Sequence, residues 1–185
     1  LEDIALMRAL PNMTVIVPAD GVEAAAAVKA AAEYKGPVYI RLGRSKVETI
    51  FDENYKFRIG KGTVVKEGTD VTLFACGIMV ETALKAAEIL ASDGINAAVV
   101  NLSTIKPLDT ALIVKMAEET KAAVTCEEHT ILGGLGSAVA EVLVENCPIP
   151  MERVGVEDKF GQSGLPDELL KAYGLTAEKI AEKAK

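Results

Sequence analysis

Short apolar runs rich in β-branched residues alternate with amphipathic runs along most of the chain, and the gaps between them are only a few residues long. This alternation restricts the fold more than any other feature. Parallel strands need a crossover, and a helix is what supplies it, so the pattern calls for an α/β layer with right-handed crossovers and a sheet covered on both faces. The stretch from Val124 to Val139 condenses the pattern. A strand over Ala122 to Cys126 meets Glu127, Glu128 and His129 in a polar loop, passes Gly133, Gly134 and Gly136, and enters a helix running to Val144.

Taken in order, the chain opens with Leu1, Ile4, Ala5 and Leu6 at helical spacing, with neither a methionine nor a capping residue before them. That start reads as the inside of an element, which suggests a fragment of something longer. A strand over Met13 to Val17 ends at Pro18, and Asp20 caps an Ala-rich helix from Val22 to Tyr34. Gly36-Pro37 leads to a strand over Val38 to Leu42, parallel to the previous one, and then to the polar turn Gly43-Arg44-Ser45. From Ser45 to Lys61 periodicity is lost, with Phe51, Tyr55 and Phe57 as aromatics that lie on a neighbouring surface, and a domain boundary falls near Tyr55. The division expected is therefore residues 1–55 and 56–185.

In the second part, a run over Gly62 to Gly68 lies so close to the strand Val71 to Ala75 that the gap hardly holds a crossover, which predicts an edge strand running against the others. Val80 to Ala91 is a helix with Ala83, Leu84, Ala87, Ile89 and Leu90 as its buried stripe, and Ala97 to Leu102 is the next strand. Pro107-Leu108-Asp109 starts a helix to Glu119, Arg153 to Val156 is a last strand, and a glycine-rich loop from Asp158 to Leu165 leads to helices begun by Pro166 and capped by Thr176.

Tryptophan is absent and aromatics are 4% of the residues, so Ala, Val, Ile and Leu must fill the core. A net charge of −7 without a concentrated basic patch argues against nucleic acid or an anionic membrane as partner. Cys76, Cys126 and Cys147 fit neither a disulfide framework nor a metal spacing, so a reducing, cytoplasmic setting is expected.

The glycines after His129 could cradle an anion at a helix N-terminus. They lack the Gly-Lys-Ser/Thr of a P-loop and the third glycine of a dinucleotide fingerprint, and Glu127 and Glu128 would repel a phosphate. The plainer reading is that small residues let helix and strand approach closely. His129 has no evident nucleophile to activate and reads more readily as structural than as a base. Arg44, at the carboxyl end of its strand, could hold a phosphate or carboxylate in bidentate fashion, although a structural arginine is commoner there.

Glu2-Asp3-Ile4-Ala5-Leu6-Met7-Arg8, Pro11-Asn12-Met13, Val17-Pro18-Ala19-Asp20 and Arg41-Leu42-Gly43-Arg44 resemble the tail of the pyrimidine-binding domain of transketolases. Glu127-Glu128-His129 with Gly133-Gly134-Leu135-Gly136-Ser137-Ala138-Val139 resembles the third domain of transketolases and deoxyxylulose-phosphate synthases. The ending Phe160-Gly161-Gln162-Ser163-Gly164 with Tyr173-Gly174-Leu175-Thr176 is most similar to transketolase, particularly those split into two polypeptides.

The resemblance implies a remnant of the pyrimidine-binding domain and a complete third domain, the latter a three-layer αβα fold with a mostly parallel five-stranded sheet and one antiparallel edge strand. It implies transfer of two-carbon ketol units between sugar phosphates of the pentose phosphate pathway, with thiamine diphosphate anchored by magnesium in the complete enzyme. The groups that bind and activate the cofactor would lie outside these residues, so the resemblance assigns no catalytic, cofactor-binding or metal-binding residue here and no cofactor to this chain alone. Arg44 alone falls on a family position, the arginine that grips the substrate phosphate. A homodimer completed by an upstream transketolase portion or subunit, and inertness in isolation, follow as expectations. The alternatives are part of a deoxyxylulose-phosphate synthase or of a 2-oxo-acid dehydrogenase β subunit, or an α/β module that binds a nucleotide or effector at the Gly133 loop.

Overall fold

The computed structural model describes residues 1–43 and 46–185. The first unit comprises α1 (Asp3–Ala9), β1 (Thr14–Ile16), α2 (Gly21–Glu33) and β2 (Val38–Ile40). The β1 and β2 strands pair in parallel, with Val15 opposite Tyr39, as the intervening helix demands. At the start of α2, Asp20 accepts a hydrogen bond from the Glu23 N–H at 2.8 Å, which satisfies one of the free donors of the first turn.

The second unit contains β3 (Thr63–Lys66), β4 (Val71–Ala75), α3 (Met79–Ser92), β5 (Ala97–Asn101), β6 (Thr104–Lys106), α4 (Thr110–Thr120), β7 (Ala123–Thr130), α5 (Leu135–Asn146), β8 (Met151–Val156), α6 (Pro166–Ala172) and α7 (Ala177–Lys183). Five of its strands form one sheet in the order β3-β5-β4-β7-β8. All neighbours are parallel except β3, which runs antiparallel to β5 at the edge. The expected mostly parallel sheet with one reversed edge strand is what the structure has.

Both faces of that sheet are covered. Leu73, Ala75, Val99, Val124 and Cys126 turn toward α3 and α7. The alternate residues Phe74, Cys76, Ala98 and Val100 turn toward α4, α5 and the first unit. The period-two alternation of each strand thus feeds two cores, which is why these strands read as continuous apolar runs.

The short strand β6 escapes any periodicity argument. The chain leaves β5 through Leu102 and Ser103, and β6 pairs antiparallel with β1, giving a three-stranded sheet β2-β1-β6. The second unit therefore contributes a strand to the sheet of the first. Strand β7 is also longer than expected: Glu127, Glu128 and His129 lie within it and not in a loop. Among the described residues no helix is long and apolar enough to cross a membrane.

Candidate functional site

The junction of β7 and α5 is built around a carboxylate. Glu127 is completely buried and accepts hydrogen bonds from the N–H groups of Leu135 at 2.6 Å and Gly136 at 2.8 Å. These are free donors of the first turn of α5, so this helix N-terminus is occupied by a carboxyl group of the chain itself. A methyl group on Gly134 would lie 2.0 Å from Glu127 Oε2, and one on Gly136 would lie 2.8 Å from Thr125 Oγ1. Close approach of strand and helix is what the glycines provide. Burial raises the Glu127 pKa to about 7, against the opposing pull of the two N–H donors and of Arg153 and Arg8.

His129 is equally buried, and both ring nitrogens are engaged. Nδ1 lies 2.7 Å from the Thr130 carbonyl and must donate to it, which leaves Nε2 as an acceptor for the Ala5 N–H at 3.3 Å. Ala5 is in the first turn of α1, so the histidine caps a helix 124 residues away in sequence. Burial lowers its pKa, keeping the ring neutral. With its lone pair occupied, His129 has none to offer a substrate. Arg8 extends the clasp, donating to the carbonyls of Gly133 at 2.6 Å and Gly134 at 3.3 Å and pairing with Glu141 at 2.9 Å.

A second polar cluster joins β2, α1 and β7. Arg41 Nε donates to Asp3 at 3.0 Å and Arg41 Nη1 to Glu128 at 2.9 Å, while the Tyr39 hydroxyl donates to the same Asp3 oxygen at 2.8 Å. Burial works against the guanidinium charge, but Glu128 and Asp3 outweigh it and raise the Arg41 pKa. Arg41, and not only Arg44, is thus a candidate at this strand end, and the signal for it in the chain is that Tyr39 and Arg41 stand two residues apart and so share a face. Arg44 and its neighbour Ser45 lie outside the described residues.

In a doubly wound sheet, ligands bind outside the carboxyl ends of the strands, where successive connections leave in opposite directions. Here that point lies between the ends of β4, whose connection leads to β5, and β7, whose connection leads to β8. The chain's own first unit lies against it. The Gly77 N–H donates to the Val17 carbonyl at 3.1 Å, and a methyl group on Gly77 would meet Val17 Cγ1 at 2.9 Å. What stays open is a cavity of about 540 Å³ toward β8, lined by Ile78, Glu128 and Val156 at strand ends and by Leu169, Leu170 and Tyr173 from α6 and its end.

The described residues do not fit a metal-anchored diphosphate. No three of their His, Cys, Asp or Glu side chains gather as a metal site, and the α5 N-terminus is filled by Glu127. Burial pushes the thiols of Cys76 and Cys126 well up, which makes poor nucleophiles of both. What these contacts do is lock two units together.

The chain is similar to several known proteins. It is 48% identical to the 6-deoxy-6-sulfo-D-fructose transketolase subunit SqwH of Clostridium sp. (strain MSTE9), covering all of this chain and 57% of that protein. It is also 48% identical to a putative transketolase C-terminal section of Methanocaldococcus jannaschii, over 98% of this chain and 58% of that one. A 1-deoxy-D-xylulose-5-phosphate synthase of Heliobacterium modesticaldum is 40% identical, and there the chain spans 29% of the protein. Among solved structures, one described as a split gene transketolase, inactive beta4 tetramer, superposes with a TM-score of 0.97 at 55% identity, over 99% of this chain and 60% of that one. The chain thus spans little more than half the length of its split-type relatives. With residues 1–49 matching the transketolase pyrimidine binding domain and residues 60–180 the transketolase C-terminal domain, this chain belongs to the transketolase family.

Proposed function

We propose that this chain is the C-terminal part of a two-chain, thiamine-diphosphate-dependent transketolase that moves two-carbon ketol units between sugar phosphates. In this reading residues 1–55 are the end of the pyrimidine-binding domain and residues 56–185 the C-terminal domain. The observation that carries it is the likeness, over essentially the whole chain, to proteins named as a transketolase subunit and a transketolase C-terminal section. Two further facts support it. A 55% identical neighbour is described as an inactive tetramer of a split-gene transketolase, and the N-terminus of α5 here is closed by Glu127.

Carbanion stabilisation is chemistry of the cofactor, and magnesium would anchor its diphosphate on the upstream polypeptide. The part played by this chain is assembly and positioning. Arg41 ties the end of β2 to α1 and β7, and Arg44, three residues on, would meet the phosphate of the sugar. Copies of the chain would pair as a homodimer in the cytoplasm, completed by the upstream partner.

The test is a ketol-transfer assay on the 185-residue polypeptide with thiamine diphosphate, magnesium, a ketose phosphate and an aldose phosphate. No turnover is expected until an upstream transketolase polypeptide is added, and turnover without it would overturn the reading. With activity restored, Arg44→Ala should raise KM for phosphorylated substrates by about tenfold or more and change kcat much less.

A further inference from the structure

The chain that follows β2 belongs to no helix or strand over its described residues 41–43 and 46–50, so no ladder fixes the backbone on either side of Arg44. Carboxylates do so instead. Before Arg44 in the chain, the Arg41 N–H donates to the Ile16 carbonyl at 2.8 Å, and the Arg41 guanidinium is gripped at two points, Nε by Asp3 at 3.0 Å and Nη1 by Glu128 at 2.9 Å. After Arg44, the Glu48 N–H donates to Glu81 at 3.3 Å, and the N–H groups of Ile50 and Phe51 donate to Asp20 at 2.7 and 2.9 Å.

Two of these carboxylates, Glu128 on β7 and Glu81 on α3, come from the second unit, so the segment takes its place from both units. Glu128 has the greater leverage of the two. Glu81 accepts one long N–H bond here and is also paired with Lys85, whereas Glu128 holds a charged, planar group. A guanidinium held at one edge can turn about that contact, and held at two edges it has one orientation. With both of those edges on carboxylates, Arg41 is poorly disposed to receive a phosphate itself, because an incoming anion would face Asp3 and Glu128 as well. Its charge is used within the protein, and what it fixes is the backbone that leads to Arg44.

We propose that Glu128 is a positioning residue for recognition of the substrate phosphate, reaching across from the C-terminal domain to hold Arg41 and, through it, the backbone that leads to Arg44. The inference rests on the reading that Arg44 meets that phosphate. It gives the C-terminal domain a share in substrate choice as well as in assembly.

The experiment uses the complete natural polypeptide reconstituted with its upstream partner, with a ketose phosphate as donor and either an aldose phosphate or the matching unphosphorylated aldose as acceptor. Glu128→Ala should lower the preference for the phosphorylated acceptor, taken as a ratio of kcat/KM values, by about fivefold and mostly through KM. Weakened folding or assembly would lower both rates alike and leave that ratio unmoved. Glu128→Gln keeps an oxygen acceptor for Nη1 and should recover most of the loss. Arg41→Lys keeps the charge but cannot span both carboxylates, so it should give the same loss as Glu128→Ala and replaces that variant where it folds poorly. Adding Arg44→Ala to Glu128→Ala should lower the preference no further than Arg44→Ala alone, because the two act in series. A preference unchanged in both Glu128→Ala and Arg41→Lys, or effects of Glu128→Ala and Arg44→Ala that multiply, would overturn the positioning role and leave the Arg44 reading intact. A preference unchanged by Arg44→Ala would overturn that reading, and this inference with it.

Discussion

Glu23, on the first turn of α2, and Asn101, at the end of β5, meet in the interior between the two units. The Asn101 amide donates to both carboxylate oxygens, at 2.9 and 3.0 Å. The Ala19 N–H at 2.7 Å and the Tyr55 hydroxyl at 2.8 Å complete the shell around a carboxylate with no exposed surface. Tyr55 also stacks on Phe51 with ring centroids 3.9 Å apart, so the segment between the units is pinned to both of them.

Removing the Glu23 carboxylate strands three donors in a dry interior. Glu23→Ala should destabilise the chain by about 3 kcal/mol or more, since donors to a charged group are worth about 1.5–3 kcal/mol each and a broken buried cluster keeps its desolvation cost. Glu23→Gln keeps the shape but turns an amide N–H₂ toward existing donors, and should cost about 1–3 kcal/mol. Urea unfolding of both variants checks this, and a loss under 0.5 kcal/mol for Glu23→Ala, the size of a surface change, would contradict it.

Two glycines predict opposite signs for the same substitution. Gly134→Ala drives a methyl group to 2.0 Å from Glu127 Oε2 and 2.7 Å from His129 Nδ1, both fixed by other hydrogen bonds. It should destabilise by at least about 2 kcal/mol. Gly21→Ala, in the first turn of α2 with nothing within 4 Å of the new methyl group, should stabilise by about 0.5–1 kcal/mol through loss of unfolded-chain entropy. Thermal unfolding of the pair, with Tm moving in opposite directions, is the expected result.

Much of this was legible in the chain because local chemistry decides it. The Asp20 cap lies three residues from its partner, the reversed edge strand follows from a gap too short for a crossover, and the two-residue and 3.6-residue periods separate β5 from α3. The rest depends on partners far away in sequence. Glu127 and His129 read as loop residues because charge normally avoids a buried strand. They are tolerated inside β7 because the α5 N-terminus and the Ala5 N–H satisfy them. Glu23 looks like an ordinary surface position on an Ala-rich helix until Asn101 arrives 78 residues later. Strand β6, only three residues long and followed at once by Pro107, is too short for any period to show.

Helix α4 ends on Lys121 in the left-handed region, with φ of 61°, where its N–H still donates to the Ala117 carbonyl. A side chain with Cβ costs about 1 kcal/mol or more in that region, and glycine does not pay it. Lys121→Gly should therefore stabilise by about 0.5–1 kcal/mol after its greater unfolded entropy is subtracted. Chemical denaturation with an unchanged m-value and a higher midpoint is the expected outcome.

Glu127 makes stability depend on pH in a direction opposite to that of an ordinary surface carboxylate. Its folded pKa of about 7 lies above the ordinary 4.5, so the folded state holds a proton that the unfolded chain releases in between. The contribution of this group is fully present below pH 4.5 and is lost as pH rises through about 7, a fall of about 3 kcal/mol across the window. His129 works the other way: its lowered folded pKa removes stability as pH falls below 6.5, so the two partly cancel in the native protein. Glu127→Gln deletes the carboxylate term together with its 3.6 Å contact to His129 Nδ1. Unfolding free energies at pH 4.5, 5.5, 6.5 and 7.5 should show wild type losing ground to Glu127→Gln as pH rises. A gap that stays constant, or that moves in favour of wild type with rising pH, would mean that the Leu135 and Gly136 N–H groups outweigh burial and hold Glu127 ionised throughout.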